Sequence, residues 1–210
     1  MPSSSRAAVI AATSILSKWD DGALVEALRN GHPSAKAELF DRYARYVERI
    51  LLRILGHERD LADLLHEVFA RALGALGTLR NPRALKPWLT GIAVLTAREF
   101  VRRRARGRWL RFFATEELPE VEIVVADAEV REALRKTYAV LDQLGADDRI
   151  AFTLRHFEGM ELKAVAAACN VSLNTVKRRL DRAERRFLAL AEREPALESW
   201  LPEGTRWKRE

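Results

Sequence analysis

The densest chemistry in this chain is cationic. Lys177, Arg178, Arg179, Arg182, Arg185 and Arg186 stand in a segment, 177–186, that holds only two acids. A second block, 101–111, carries six arginines and no acid. Guanidinium groups at this density suit a polyanion, because each can fork onto a phosphate. In the C-terminal block the spacing says more. At about 100° per residue, Leu173, Val176, Leu180, Ala183 and Phe187 fall on one apolar stripe. Asn174, Arg178 and Arg185 fall opposite, flanked by Thr175 and Arg182, with Lys177 and Arg179 at the borders. Asn can pair with adenine and Arg with guanine in the major groove. Arg182, Arg185 and Arg186 are better suited to phosphates, and Asp181 near the same face repels them.

The carboxylates offer a different chemistry. Asp60, Asp63 and Glu67, with Arg71, occupy one face of a helical segment whose other face is Leu61, Leu64, Leu65, Val68, Phe69, Ala72 and Leu73. Three acids on one face could hold a divalent metal, as in a nuclease. No second carboxylate cluster accompanies them, and His32, His57, His66 and His156 lack ligand spacing. The single cysteine, Cys169, excludes an intramolecular disulfide and a cysteine-based zinc cluster and reads as a small core residue. No metal, cofactor or catalytic constellation is expected. The acidic face suits a protein partner better than DNA, although Glu67 and Arg71 also read as an i,i+4 pair worth a few tenths of a kcal/mol.

These groups must be positioned by helices. Apolar residues recur at helical intervals almost throughout the 210 residues, and the one β-like fragment, 122–125, is too short to build a sheet. The expected fold is all-α, with two helical domains joined by an acidic linker. Helices are expected over Asp20–Arg29, Ser34–Leu55 with Ser34 as a cap, and Arg59–Leu73. The next runs from Pro82 through Arg106, with Pro87 early in it or just before the main helix. A second group covers a helix from Asp127, then Asp148–Phe157, Met160–Cys169 and Ser172–Arg193. Residues 1–19 read as an extension, 20–111 as the first domain, 112–129 as the linker, 130–194 as the second domain and 195–210 as a loosely held tail. The linker stretch 114–129 holds six acids and no base, so it can also shield the basic blocks. No run reaches the ~20 apolar residues of a membrane span. A thin n-region and the absence of cysteine pairs point to the cytoplasm.

Met160–Cys169, the turn Asn170-Val171 and the helix from Ser172 form a helix-turn-helix pattern. Ala166 and Ala167 are small enough to admit the second helix closely, and Ser172 is a suitable N-cap. The N-terminal half of such a second helix is the part that meets base edges.

The first half carries a resemblance. Asp63-Leu64-Leu65-His66-Glu67-Val68-Phe69 resembles the DLVQEVF signature of bacterial sigma factors, region 2.2. Pro87 to Ala93 resembles the WLxxIA of region 2.3, and Val101-Arg102-Arg103-Arg104 the end of region 2.4. In the second half, Leu141 to Leu144 with Asp148-Arg149, then Thr175 to Leu180 with Arg182-Ala183, resemble region 4. By size the chain is identified as a member of the extracytoplasmic-function (ECF) group of the sigma-70 superfamily. Departures stand at His66, Leu95, Glu99, Ala164 and Arg178.

The resemblance implies a non-enzymatic protein that binds core RNA polymerase, through the β′ coiled coil and the β flap, and gives it promoter specificity. It implies core-polymerase contacts at Asp60, Asp63, His66, Glu67 and Arg71. It implies −10 element contacts at Trp88, Arg98, Arg102, Arg103 and Arg104, although a Trp in this motif is more often core. It implies −35 element contacts at Ser172, Asn174, Thr175, Lys177, Arg178, Arg179 and Arg182. Members of the family commonly have an anti-sigma factor as a further partner. The alternative reading of the same residues is a helix-turn-helix regulator that binds a palindromic operator as a dimer.

Overall fold

The computed structural model describes residues 19–56, 58–110 and 127–200. The N-terminal extension up to residue 18, the linker over 111–126, His57 and the tail from 201 lie outside the described residues. Eight helices and no strand occur among the described residues.

Helix α1, Asp21–Arg29, begins where the Asp20 carboxylate accepts from the Ala23 amide at 2.7 Å. Helix α2, Ala35–Leu55, buries Leu39, Tyr43, Val47, Ile50, Leu51 and Ile54. Ser34 does not cap it: its hydroxyl meets His32 Nδ1 instead, because its backbone already sits in the helical region. Gly56 closes α2 at φ 79°, where a Cβ would lie 2.9 Å from the Tyr138 ring. Helix α3, Leu61–Gly74, buries Leu64, Val68, Phe69 and Ala72.

The helix expected from Pro82 is split. A 3-10 turn, Pro82–Ala84, capped by Asn81, leads into α4, Leu85–Leu110. Pro87 sits in the first turn of α4, where its missing N–H removes no helical bond. Helix α5, Ala128–Leu141, is capped by Asp127. Helix α6, Ala146–Phe152, widens into a single π turn, Thr153–Phe157. It starts two residues earlier than the sequence suggests, so Asp147 and Asp148 both fall in its first turn. Helix α7 is Leu162–Cys169, and α8 is Leu173–Ala191.

The two groups of helices form two apolar clusters, but the clusters do not follow the division into halves. One holds the cores of α1 to α4 together with Ile150, Leu154, Val165, Cys169, Val176 and Leu180. The other holds Val140, Leu141, Leu144, Phe152, Ala183, Phe187 and Leu197. Helix α4 is the shared surface, packing on α2, α3, α6 and α7. Two expectations need correction here. Ala167 is exposed; the close faces of α7 belong to Val165, Ala166, Ala168 and Cys169. The Ala168 carbonyl lies 3.8 Å from where a Gly91 Cβ would stand, so α7 also lies close to α4. The start of the tail is not loose: Pro195–Trp200 forms a 3-10 turn with Leu197 buried, and Lys136 pairs with Glu194 at 2.7 Å.

Polar clamps join the halves. Arg149 of α6, almost fully buried, donates to the Ile54 carbonyl at 2.7 Å and the Leu55 carbonyl at 3.0 Å, and also pairs with Asp142. It thereby satisfies two carbonyls that the end of α2 leaves open. The Tyr138 hydroxyl donates to the Leu52 carbonyl at 3.1 Å, and Arg49 pairs with Glu158 at 2.7 Å.

Candidate nucleic-acid interface

Helix α7, its turn and helix α8 make a helix-turn-helix. Asn170 turns the chain in the left-handed region at φ 53°, which an Asn tolerates well. The Ser172 hydroxyl then accepts from the Thr175 amide at 3.2 Å and meets the Thr175 hydroxyl at 2.9 Å. This cap fixes where α8 begins. The buried stripe is Val176, Leu180, Ala183 and Phe187, with Leu173 half-buried. That phase leaves Asn174, Lys177, Arg178, Arg185 and Arg186 exposed. Arg185 is tied to Asp181 at 2.6 Å, so Asp181 is neutralised within its own helix. The N-terminal half of α8 therefore presents an amide, an ammonium and a guanidinium together, the set suited to base edges.

Arg179 and Arg182 sit differently. Arg179 is half-buried, and its Nη2 lies 3.5 Å from Asp147. Arg182 forks onto Asp148 with both bonds at 2.5 Å. Those bonds push its guanidinium further above the ordinary arginine value.

The other arginine block lies on α4 and faces α6. Arg98 donates to the Cys169 carbonyl at 3.2 Å, and its Nε lies 3.0 Å from Asp147. Arg102 meets the second oxygen of Asp147 at 2.8 Å. Arg104 pairs with Glu58 and reaches Asp142 at 3.5 Å. Arg103 is exposed and lies over the Phe100 ring. Trp88 is half-buried, its Nε1 donating to the Thr78 hydroxyl at 3.2 Å, which agrees with a core-side residue. Leu95 is the one large apolar side chain strongly exposed among the described residues.

On α3, Asp63 and His66 are exposed, and Asp60 is exposed just before the helix. Glu67 meets Arg71 at 2.6 Å, and Arg71 also reaches Glu99 of α4 at 2.6 Å. Arg71 holds the Glu99 carboxyl below its usual value. The His66 ring stacks on Phe40. No group of three or more metal-ligating side chains occurs among the described residues. Burial pushes the Cys169 thiol up, so it stays protonated and inert. No helix of the described residues is long and apolar enough to cross a membrane.

Sequence reasoning placed both basic faces but missed what they touch. Asp147 and Asp148 look like the acids expected in a first helical turn. Nothing in their spacing names a partner 32 or more residues away. Arg149 was visible only as part of the region 4 pattern, with no sign of its burial.

Family profiles match in the same order. Residues 39–107 match Sigma-70 region 2, and residues 134–187 match Sigma-70 region 4. RNA polymerase sigma factor SigV of Bacillus subtilis is 31% identical over 136 residues, which cover 64% of this chain and 78% of that protein. The chain belongs to the sigma-70 family. The RNA polymerase sigma-H factor of Pseudomonas aeruginosa is 28% identical over 188 residues, covering 80% of this chain and 92% of that one. The ECF sigma-E factor of Escherichia coli is 29% identical over 177 residues, with 78% and 90% covered. This sigma factor also shares its fold with CnrH, solved in complex with the cytosolic domain of CnrY (TM-score 0.58, 21% identity, 83% of this chain and 99% of that one). The sigma factor RpoE of Bartonella quintana, solved with the anti-sigma factor NepR, aligns with a TM-score of 0.54 at 20% identity, covering 74% and 95%.

Proposed function

We propose that this sigma factor binds core RNA polymerase through α3 and directs initiation by reading a −35 element with α8 and a −10 element with α4. The observation that carries this is the capped, outward-facing N-terminal half of α8, with Asn174, Lys177 and Arg178 exposed together. Asn174 and Arg178 are the base readers. Ser172 and Thr175 set the helix start, and Lys177, Arg179 and Arg182 meet the DNA backbone. On α4, Arg98, Arg102, Arg103 and Arg104 serve the −10 element, and Trp88 supports the helix from behind. Asp60, Asp63 and His66 form the exposed part of the polymerase face, braced by the Glu67–Arg71–Glu99 chain of contacts.

An anti-sigma factor is a further partner in this reading. Support comes from a solved neighbour that carries one. The domains proposed from the sequence, 20–111 and 130–194, then correspond to the polymerase and −10 half and to the −35 half. The work is done in the cytoplasm, with no cofactor and no catalysis.

The test is run-off transcription with core polymerase free of other sigma factors, on a library of promoter fragments. Initiation at a defined subset is expected, and Arg178→Ala should lose discrimination at one base pair, at about 1–3 kcal/mol. Absence of both core binding and initiation would overturn the proposal and favour an operator-binding regulator.

A further inference from the structure

The proposed −10 face of α4 carries at its centre a side chain that no phosphate attracts. At about 100° per residue, Leu95 shares one stripe with Arg102 and Arg106, with Arg98 and Glu99 at its borders. Arg102, Arg103 and Arg106 are exposed. Leu95 is itself 44% exposed, the one large apolar side chain so open among the described residues. It belongs to neither apolar cluster, whereas Ile92 and Trp88, about one and two turns earlier, pack against the first. The core therefore gives Leu95 no role. An exposed leucine alone is ordinary, so its position among arginines carries the argument.

Leu95 and Arg102 stand about two turns apart, on the order of 10 Å along the helix. That is comparable with about three base steps at 3.4 Å each. Arginines at the C-terminal end of the face can hold phosphates while Leu95 meets a base edge in the same short element. The polar group one turn beyond Leu95 is Glu99, a carboxylate of the kind that accepts from the amino group of cytosine. It is committed elsewhere. Arg71 of α3 meets it at 2.6 Å and holds its carboxyl below the usual value. The surface left for a base edge is apolar. Among the four bases only thymine offers the major groove an apolar group, its C5-methyl.

We propose that Leu95 is a specificity-determining residue that reads the C5-methyl of one thymine in the −10 element. This deepens the sigma-factor reading of α4 and rests on it. The arginines supply affinity without sequence preference, and Leu95 supplies a preference for thymine over cytosine. Removing one methyl from water is worth about three- to fivefold in affinity, so the preference is modest and confined to one position.

The experiment uses the full chain reconstituted with core polymerase, on a promoter fragment that supports run-off initiation. Each thymine of the −10 element, on either strand, is replaced in turn by deoxyuridine, which lacks only the methyl. At one position deoxyuridine should weaken promoter binding and initiation about three- to fivefold. Leu95→Ala, at an exposed site that leaves the core intact, should lose the same factor on thymine and nothing further on deoxyuridine. Leu95→Met, which keeps apolar reach, should retain the discrimination. Cytosine placed at that position should bind better when it carries a 5-methyl group. Insensitivity to deoxyuridine at every thymine would overturn the proposal. So would a −10 element without thymine, or a loss in Leu95→Ala that is equal on thymine and deoxyuridine at every position, since Leu95 would then act on polymerase. Native run-off activity separates the two ideas: its absence sinks the sigma-factor reading, whereas initiation that ignores the methyl sinks only this one.

Discussion

Replacing Arg149 by Met tests whether the halves are clamped at the end of α2. Met keeps most of the side-chain length and removes the fork. Arg149 is 2% exposed, donates to the carbonyls of Ile54 and Leu55, and pairs with Asp142. A hydrogen bond from a charged group contributes about 1.5–3 kcal/mol, and breaking a buried pair costs about 3–5 kcal/mol. Asp142 keeps Arg104 nearby, so its charge is not left alone. That places the expected loss at the lower end, about 3 kcal/mol. Urea denaturation followed by far-UV circular dichroism would read it as a lower midpoint with an unchanged slope. Arg149→Lys should recover only part, because one ammonium cannot span two carbonyls and a carboxylate. A loss below about 1 kcal/mol for R149M would refute the clamp, since solvent would then have to be reaching the carbonyls already.

Three further outcomes are expected. Ser172→Ala should cost about 1 kcal/mol by removing the cap on α8, and should weaken promoter binding by fraying its reading end, checked by denaturation and by fragment affinity. His156 pairs with Glu184 at 3.0 Å, and burial holds it below its ordinary value of 6.5 despite that partner. The folded state thus favours the neutral ring, so stability should fall as pH drops below about 6.5 while the unfolded chain protonates first. His156→Gln should flatten this part of a Tm–pH profile. Gly56→Ala combines a left-handed φ with a 2.9 Å approach to Tyr138. It should destabilise the junction by about 1–3 kcal/mol, read by urea denaturation; Tyr138→Phe, which loses only the hydroxyl bond, should cost less.

What was legible depended on the range of the interaction. The helix-turn-helix could be read because a cap, a turn and a stripe of period 3.6 all lie within about 25 residues of sequence. Each of Val176, Leu180, Ala183 and Phe187 is buried as that stripe requires. Failures came where local patterns compete or long contacts decide. Ser34 has the right residue type for a cap, but its helical backbone turns the hydroxyl toward His32. Ala167 is as small as Ala166, yet the phase of α7 sends it to solvent. The tail holds because Leu197 finds the second core, a contact that no window around Pro195 contains. Most of all, charge blocks announced two basic surfaces without announcing that Asp147 joins them. Ion pairs between distant elements leave no periodic trace.

The Arg149 clamp also bears on how readily the two halves separate. When the halves separate, water reaches the Ile54 and Leu55 carbonyls, and Arg149 becomes hydrated. Opening therefore avoids the penalty that R149M imposes while the interface stays shut. The variant can relieve itself by opening, so its measured loss cannot exceed the free energy of opening. A loss of about 3 kcal/mol would mean that the native chain is open less than about 1% of the time. The two halves also share apolar core through Ile150, Leu154 and Val165, so the Arg149 clamp sets only part of that balance.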